Sequence, residues 1–207
     1  MRIRITFSKT EAMRYTGHLD LQRAWERIFR RAGLPIAYSQ GFHPQPRINL
    51  ASALPLGFTS EAEVADIWLE KDLPLPDVEA ALRLAAPPGI QIHQLDGVAP
   101  SAPVLQTQVQ SAEYRIDLLD PVPDLLQRVA VLQAAESLPR ERRGKRYDLR
   151  PLVESLLVYT PDETGSVYLF TRLAAREGAT GRPEEVLDVL GVRLDAVRVH
   201  RTRLIFV

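Results

Sequence analysis

The chain has 207 residues, with 26 basic and 26 acidic side chains, 45% hydrophobic residues and no cysteine. These values are ordinary for one large or two small globular domains, and they give no general attraction to nucleic acid, although local charge separation can still build a basic face. The absence of cysteine excludes disulfides, cysteine-ligated zinc, thiolate nucleophiles and iron–sulfur clusters.

The first residues predict a strand and no targeting segment. Ile3, Ile5 and Phe7 alternate with polar residues, which is typical of a half-buried strand and not of a charged segment followed by an apolar secretory core. The sequence contains no run of about 18 apolar residues that could span a membrane. We therefore expect a cytoplasmic protein with no membrane segment.

A helix is predicted after this strand, ended by Gly33 and capped by Thr16 or His18. Its apolar stripe recurs at helical spacing and comprises Leu21, Ala24, Trp25, Ile28, Phe29 and Ala32. The opposite face forms a basic ridge of Arg23, Arg27, Arg30 and Arg31. Such a ridge is either a phosphate-binding surface or a solvated helix face.

Residues 34–57 are expected to form a stiff loop with a functional surface. The stretch contains four prolines and includes Phe42, His43 and Arg47. Pro44 and Pro46 lack amide donors and fix their own backbone angles, so residues 42–47 are predicted to run extended and outside any central strand. A proline-locked structural connection is the alternative reading.

Residues 47–54 are expected to be extended, and strand patterns at 63–70 and 90–95, with a helical pattern at 78–85 between them, complete a β-α-β-β-α-β order over residues 1–96. Residues 97–107 contain Gly97, Pro100 and Pro103 and read as a linker.

The same order recurs over residues 108–207. Strands are predicted at 114–118, 152–159, 167–173 and 197–207, with a helix after Asp120-Pro121, a turn at 160–165 and a short helix after Arg182. The fold class is therefore α+β, with two tandem ferredoxin-like halves and antiparallel sheets. A single sheet continuous across both halves is equally compatible with the pattern.

A second basic segment, residues 140–151, interleaves cations with an aromatic ring, and it includes Lys145, Arg146, Tyr147 and Arg150. This composition suits phosphate contact combined with base stacking. A charged hairpin edge that discourages aggregation is the alternative. Arg198, His200, Arg201 and Arg203 crowd the last strand, which predicts charge on both of its faces and one open sheet face.

Catalytic signals are weak. No nucleotide-binding or hydrolase motif is present, and the four histidines have no ligand spacing, so neither a metal nor a cofactor is predicted. His18 and Asp20 with His43 could converge as an acid–base set or a weak metal site. Asp20, Asp148 and His43 are the catalytic candidates.

The runs TGHLDLQRAWERIFRRAGLPIAYSQGFHPQPRINLASALPLGFTSEAEVADIWL, KRYDLRP and RPEEVL resemble the bacterial radical SAM-linked protein family, a domain of unknown function. Members occur alone or C-terminal to a radical S-adenosylmethionine enzyme, often near genes for ribonuclease E/G and ribosomal proteins. The resemblance implies a separate radical SAM partner, because this chain lacks cysteine. The family residues that it carries over are His18, Leu19, Asp20, Arg30, Arg31, Ser39, Gly41, Phe42, Pro44, Pro46, Leu56, Gly57, Ser60, Glu63, Asp148, Arg150 and Pro151. His43 and Gln45 depart from the family loop GFNPHP, which favours binding over catalysis.

We therefore predict a non-catalytic RNA-binding or substrate-presenting module that works with a radical SAM enzyme. The predicted nucleic-acid contacts are Arg23, Arg30, Arg31, Phe42, His43, Arg47, Lys145, Arg146, Tyr147 and Arg150. Two alternatives remain open. One is a stand-alone RNA-modifying enzyme with an aspartate in a cleft between the halves, as in pseudouridine synthases, and the other is a protein-interaction module that docks through Phe42, Pro44 and Pro46.

Overall fold

A computed structural model describes residues 1–142, 144–160 and 167–207. The chain divides into two compact units, Met1–Val109 and Gln110–Val207. Both units mix helices with strands, and every strand register given below is antiparallel. No helix in the described ranges is long and apolar enough to cross a membrane.

The first unit follows the order strand, helix, strand, strand, helix, strand. Its elements are β1 (Arg2–Lys9), α1 (His18–Arg31), β2 (Ile48–Leu50), β3 (Thr59–Trp68), α2 (Leu75–Ala85) and β4 (Ile90–Val98). The strands are ordered β4-β1-β3-β2. β4 extends to Val98, and therefore into the segment predicted as a linker, and a 3₁₀ turn at Leu105–Gln108 overlaps the end of that segment.

The core of the first unit lies on the face of β1 that carries Ile3, Ile5 and Phe7, all fully buried. The predicted stripe of α1 joins this core, as do Val78 and Leu82 of α2. Trp25 packs edge-to-face on Phe7, with ring centroids 4.9 Å apart, and stacks on Phe29 at 5.5 Å. These aromatic contacts fix the position of α1 on the sheet.

The opposite face of β1 carries a buried ionic cluster. Asp66 of β3 is fully buried and accepts hydrogen bonds from Arg2 Nη2 at 2.6 Å and Arg4 Nε at 2.8 Å. Arg2 also donates to the carbonyl oxygens of Ala102 and Pro103 at 2.7 and 2.8 Å. The buried charges are thus paired and hydrogen-bonded, as burial requires.

A buried lysine anchors the segment before α1 to the residues after the loop. Lys9 is fully buried, and its Nζ donates to the carbonyl oxygens of Arg14 at 3.2 Å and Phe58 at 3.0 Å. Arg14 Nε donates in turn to the Gly57 carbonyl at 2.8 Å. Lys9 and Arg14 therefore satisfy carbonyl groups that no regular sheet ladder reaches.

In the second unit the regular elements are β5 (Val109–Leu118), α3 (Leu125–Ala134), β6 (Pro139–Arg142), β7 (Lys145–Asp148), β8 (Val153–Tyr159), β9 (Tyr168–Arg176), β10 (Ala179–Thr180), α4 (Pro183–Val189) and β11 (Val197–Phe206). Neighbouring strands follow the order β10-β9-β5-β11, and β8 also pairs with β9. β6 and β7 form a separate hairpin between α3 and β8. The predicted turn at 160–165 falls almost wholly outside the described residues.

Two local predictions for this unit are wrong. Asp120-Pro121 does not start α3, which begins at Leu125 after Asp124 in a left-handed conformation (φ 56°). Arg201 does not lie on an exposed face of the last strand. It is fully buried beside Val197 and Val199, where its guanidinium stacks on the Tyr114 ring and donates to the Tyr114 hydroxyl at 3.2 Å.

Candidate nucleic-acid interface

The stem of the loop between α1 and β2 is held by main-chain hydrogen bonds. Ala37 N donates to Trp68 O at 2.8 Å, Arg47 N to Ala37 O at 2.8 Å, and Trp68 N to Arg47 O at 3.2 Å. Ser39 and Gln45 are joined by two further bonds, of 2.8 and 3.0 Å. The predicted extended run over 42–47 is therefore a hairpin-shaped loop whose tip is residues 40–44.

The loop tip presents an aromatic ring directly to solvent. Phe42 is fully exposed, and Gly41 before it has a φ of 134°, a conformation that favours glycine. His43 and Pro44 are exposed as well. The Phe42 ring is therefore fully accessible to a ligand or a partner.

The basic ridge of α1 lies on its solvent face, as the helical stripe predicts. Arg23, Arg27, Arg30 and Arg31 are all exposed on this helix. Arg23 pairs with Asp20 at 3.1 Å, but both side chains are about two-thirds exposed, so solvent screens this pair. Residues 27–60, which include the loop, contain no aspartate or glutamate. We call the arginines of α1 and the loop tip the loop–helix surface.

Arg47 supports the loop stem as well as facing solvent. Its guanidinium carbon lies 4.7 Å from the centre of the Trp68 ring, and Arg2 lies over the same ring at 5.2 Å. Trp68 therefore anchors Arg47 at the base of the loop through a cation–π contact.

The second unit contains a cleft of about 750 Å³, which we call the cationic cleft. Lys145, Arg146 and Tyr147, three of the predicted contacts, line it together with Asp148. The remaining lining residues, which the sequence patterns do not indicate as contacts, are Arg142, Pro151, Leu152, Gly178, Ala179, Thr180 and Arg182. Four cations thus face one cavity.

Asp148, the one carboxylate among the described lining residues, is hydrogen-bonded to main-chain amides. Asp148 Oδ1 accepts hydrogen bonds from the amides of Leu138 at 2.7 Å and Arg150 at 2.9 Å. These two bonds lower the pKa of Asp148. Asp148 therefore closes the base of the β6–β7 hairpin, and it is poorly suited to take up a proton in catalysis.

The hairpin is fastened to α4 on the side that carries Arg140 and Tyr147, which are paired across its strands. Arg140 Nη1 lies 2.9 Å from Asp188 Oδ2, and Arg140 Nη2 donates to the Glu185 carbonyl at 3.2 Å. Burial and a hydrogen bond to the Glu185 side chain raise the pKa of Tyr147 to about 12. The Tyr147 ring is thereby fixed at the edge of the cleft.

Arg150 is directed away from the cleft lining. Its guanidinium donates to Gln133 O at 3.0 Å and Val153 O at 3.2 Å. Arg146 approaches Glu141 at 3.6 Å with both side chains largely exposed, whereas Lys145 has no ion-pair partner within the described part of the chain. Lys145 and Arg146 are therefore available to a ligand.

The three catalytic candidates have different surroundings. Asp20 pairs with Arg23, Asp148 is bound by amides, and His43 lies exposed at the loop tip. No group of three or more histidine, aspartate or glutamate side chains suited to a metal occurs in the described ranges.

Arg182 could not be found by spacing, because it enters the cleft from a segment far along the chain. Its neighbour Gly181 approaches Leu152 closely, since a Cβ on Gly181 would lie 2.9 Å from the Leu152 carbonyl oxygen. Only glycine allows this segment to approach Leu152, just before β8, so closely. The motif RPEEVL, which carries part of the family resemblance, was the one available signal.

Comparison with known proteins gives a family and a fold. Residues 2–183 match the family described as "Uncharacterized protein conserved in bacteria (DUF2344)". No curated protein matches the chain.

Two solved structures resemble the chain at low identity. A chain in the crystal structure of a Cbf5-Nop10-Gar1 complex has a TM-score of 0.50 and 13% identity, covering 98% of this chain and 48% of its own length. A chain in the archaeal box H/ACA sRNP Nop10-Cbf5 complex has a TM-score of 0.45 and 13% identity, covering 98% and 46%. This chain therefore spans about half the length of these two structures, and the likeness concerns the fold alone.

Proposed function

Because the chain belongs to the uncharacterized bacterial family DUF2344, its function has to be argued from its surfaces, and we propose that it is an RNA-binding or substrate-presenting accessory module. In this proposal the module works with a radical SAM enzyme, a separate chain, which modifies or processes RNA. The resemblance described above supports this partner.

The observation that carries the RNA proposal is the loop–helix surface. It combines solvent-accessible arginines with an exposed aromatic ring in a stretch, residues 27–60, that has no acidic residue. Proteins that bind single-stranded nucleic acid combine these two features, since cations contact phosphates and aromatic rings stack on unpaired bases. Arg30 and Arg31 are the proposed phosphate contacts, and Phe42 is the proposed stacking surface, with His43 beside it.

The other predicted contacts differ in how directly they would bind RNA. Lys145, Arg146 and Tyr147 of the cationic cleft supply a second set of contacts. Arg23 contributes less, because Asp20 partly neutralises it. Arg47 and Arg150 act mainly by positioning the loop stem and the hairpin, through Trp68 and the Gln133 and Val153 carbonyls.

The proposed architecture is a pair of ferredoxin-like halves. In the first unit the strand order β4-β1-β3-β2, with α1 and α2 as the crossovers, supports this assignment. In the second, the neighbours β11-β5-β9-β8 support it, with β6–β7 as an inserted hairpin.

The RNA proposal is tested by fluorescence anisotropy with single-stranded and duplex RNA over a series of salt concentrations. The double variant Arg30→Gln/Arg31→Gln is compared with Lys71→Gln/Arg193→Gln, which removes the same charge from exposed positions outside the loop–helix surface. We expect only the first pair to weaken binding of single-stranded RNA. Equal weakening by both pairs, or binding without salt dependence, would contradict a specific surface.

A second candidate is a protein-interaction module that docks on the radical SAM subunit, and the exposure of Phe42 favours it. Phe42→Leu separates the two functions, because leucine keeps an apolar side chain but lacks a ring for stacking. RNA binding lost with co-purification of the partner retained supports the RNA role of this ring. The reverse result supports docking.

A further inference from the structure

The cationic cleft has two chemically different sides. Arg142, Lys145, Arg146 and Arg182 supply positive charge, whereas Tyr147, Pro151, Leu152 and Ala179 supply apolar surface. A phosphate-bearing ligand with a flat ring system has the same division. Ligand sites commonly combine an apolar lining with a few charged groups that orient the ligand.

The positive charge of the cleft is only partly offset. Four cations face one carboxylate in the lining, Asp148, whose Oδ1 accepts two amide hydrogen bonds. Arg146 and Arg182 have carboxylate partners outside the lining, Glu141 at 3.6 Å and Glu184 at 3.7 Å. Clustered cations repel one another, so a bound anion would stabilise this arrangement.

The two sides are also preorganised. Tyr147 is paired with Arg140 across the hairpin, and Arg140 ties this hairpin to α4 through Asp188 and the Glu185 carbonyl. On the other side, the close approach of Gly181 to Leu152 sets the position of Arg182. Preorganised groups lose little conformational entropy on binding, which favours affinity for a small ligand.

We propose that the cationic cleft binds a single nucleotide, with its phosphate at Lys145 and Arg182 and its base against Tyr147 and Leu152. The cavity of about 750 Å³ falls within the size range of small-molecule sites and is too small for a helical duplex. The inference rests on the proposed function only for the source of the nucleotide, which is either an unpaired residue of a bound RNA or a free nucleotide.

The test is isothermal titration calorimetry of the full chain with the four common ribonucleoside 5′-monophosphates, with inorganic phosphate and with adenosine. We expect at least one nucleotide to bind more tightly than phosphate or adenosine. Lys145→Gln/Arg182→Gln should weaken that binding about tenfold or more, because each cation forms charge-assisted hydrogen bonds. Lys71→Gln/Arg193→Gln is the charge-matched control and should bind as the unmodified chain does.

A folding defect at Arg182 does not confuse the result, because Lys145 is exposed and its single variants should fold normally. Lys145→Gln should weaken binding, whereas Lys145→Arg should retain most of it. Failure of every nucleotide to bind at millimolar concentration overturns the inference. Phosphate that binds as tightly as the best nucleotide also overturns it, since the apolar side would then contribute nothing.

Competition identifies the source of the nucleotide. A nucleotide that displaces labelled single-stranded RNA indicates that an RNA residue occupies the cleft, and one that binds beside the RNA indicates a free nucleotide. The calorimetric test uses no RNA, so failure of RNA binding contradicts the proposed function while leaving the cleft inference to its own test.

Discussion

The amide of Leu138 donates a hydrogen bond to the carboxylate of Asp148 across the base of the β6–β7 hairpin, at 2.7 Å. Arg150 donates its own amide to the same oxygen, Oδ1. One side chain therefore determines where the hairpin leaves and rejoins the rest of the second unit, and with it the position of Lys145, Arg146 and Tyr147 in the cationic cleft.

Asp148→Ala should increase hydrogen exchange at the Leu138 and Arg150 amides and weaken nucleotide binding, because both amides lose their acceptor. Asp148→Asn keeps an oxygen acceptor and should retain most of the protection. Nuclear magnetic resonance exchange rates measure both effects. If Asp148→Asn abolished RNA modification while protection of the two amides stayed unchanged, this carboxylate would instead have a chemical role.

The lowered pKa of Asp148 gives this feature a defined pH dependence. A depressed folded-state pKa contributes stability that is fully present above the unfolded value of 3.8 and is lost as pH falls through the folded value. Protection of the Leu138 amide should therefore persist to pH 3.8 and decline below it. A decline that begins above about pH 5 would contradict this account.

Tyr147 should show the opposite behaviour at alkaline pH. Its pKa is raised from 10.0 to about 12, so its contribution to stability is complete below pH 10 and is lost between 10 and about 12. The difference in free energy of unfolding between the unmodified chain and Tyr147→Phe should be constant up to pH 10 and then fall. Urea titrations at several pH values measure it, and a difference that is flat through pH 12 would contradict the raised pKa that burial and Glu185 give this ring.

Phe42→Ala should weaken binding of single-stranded RNA by about 1–3 kcal/mol, the usual contribution of one stacked base. The slope of affinity against salt should not change, because the substitution removes no charge. Arg30→Gln/Arg31→Gln should instead lower that slope by about 0.7 for each phosphate of the single strand that is no longer neutralised. Because Phe42 is fully exposed, neither its removal nor Phe42→Leu should change the melting temperature.

Lys9→Met should lower the free energy of unfolding by about 1–3 kcal/mol, because it removes the buried donor to the Phe58 carbonyl and leaves the Arg14 carbonyl with the Gly57 amide alone. Lys71→Met, on an exposed lysine, is the control and should stay within about 0.5 kcal/mol of the unmodified chain. Equal urea midpoints for the two variants would show that Lys9 contributes no net stability.

Gly181→Ala should reduce both stability and nucleotide affinity, because its new methyl group would contact the Leu152 carbonyl oxygen at 2.9 Å. Gly97→Ala is the matched control, since Gly97 is exposed, lies outside the left-handed region and has no atom within 4 Å of an added Cβ. Thermal melts and calorimetry measure the two effects. A Gly181→Ala variant that binds nucleotide normally would show that this close approach does not position Arg182.

Periodicity predicted the elements that are decided by local pattern. The α1 stripe and the alternation of β1 each bury one face in a core, so residue spacing alone locates them. The predicted start of α3 was wrong because Asp120-Pro121 has the composition of a helix start. In the structure, Asp124 adopts a left-handed conformation and the helix begins at the next residue. The prediction that Arg201 is exposed was wrong because a buried cation needs a specific partner. That partner, Tyr114, is distant in sequence and cannot be recognised from the strand pattern.

The candidate site was only partly predictable for the same reason. Arg30, Arg31 and Phe42 could be selected because accessibility on a helix face or a loop is a local property. Arg182 and Lys145 line the same cleft because Gly181 packs closely on Leu152. This contact is long-range, and one sequence does not reveal it. The involvement of Arg150 with the Gln133 and Val153 carbonyls was hidden in the same way.

The stem of the loop holds the tip through main-chain hydrogen bonds, so the position of the tip does not depend on the side chains of the tip. Ala37, Arg47 and Trp68 are joined through amides and carbonyls, which every residue except proline can supply in full. Residues 40–44 could therefore be exchanged for another short sequence without disturbing the sheet below. Substitutions at the tip, Gly41 excepted, can therefore change what the loop recognises while the stem keeps its position on the sheet.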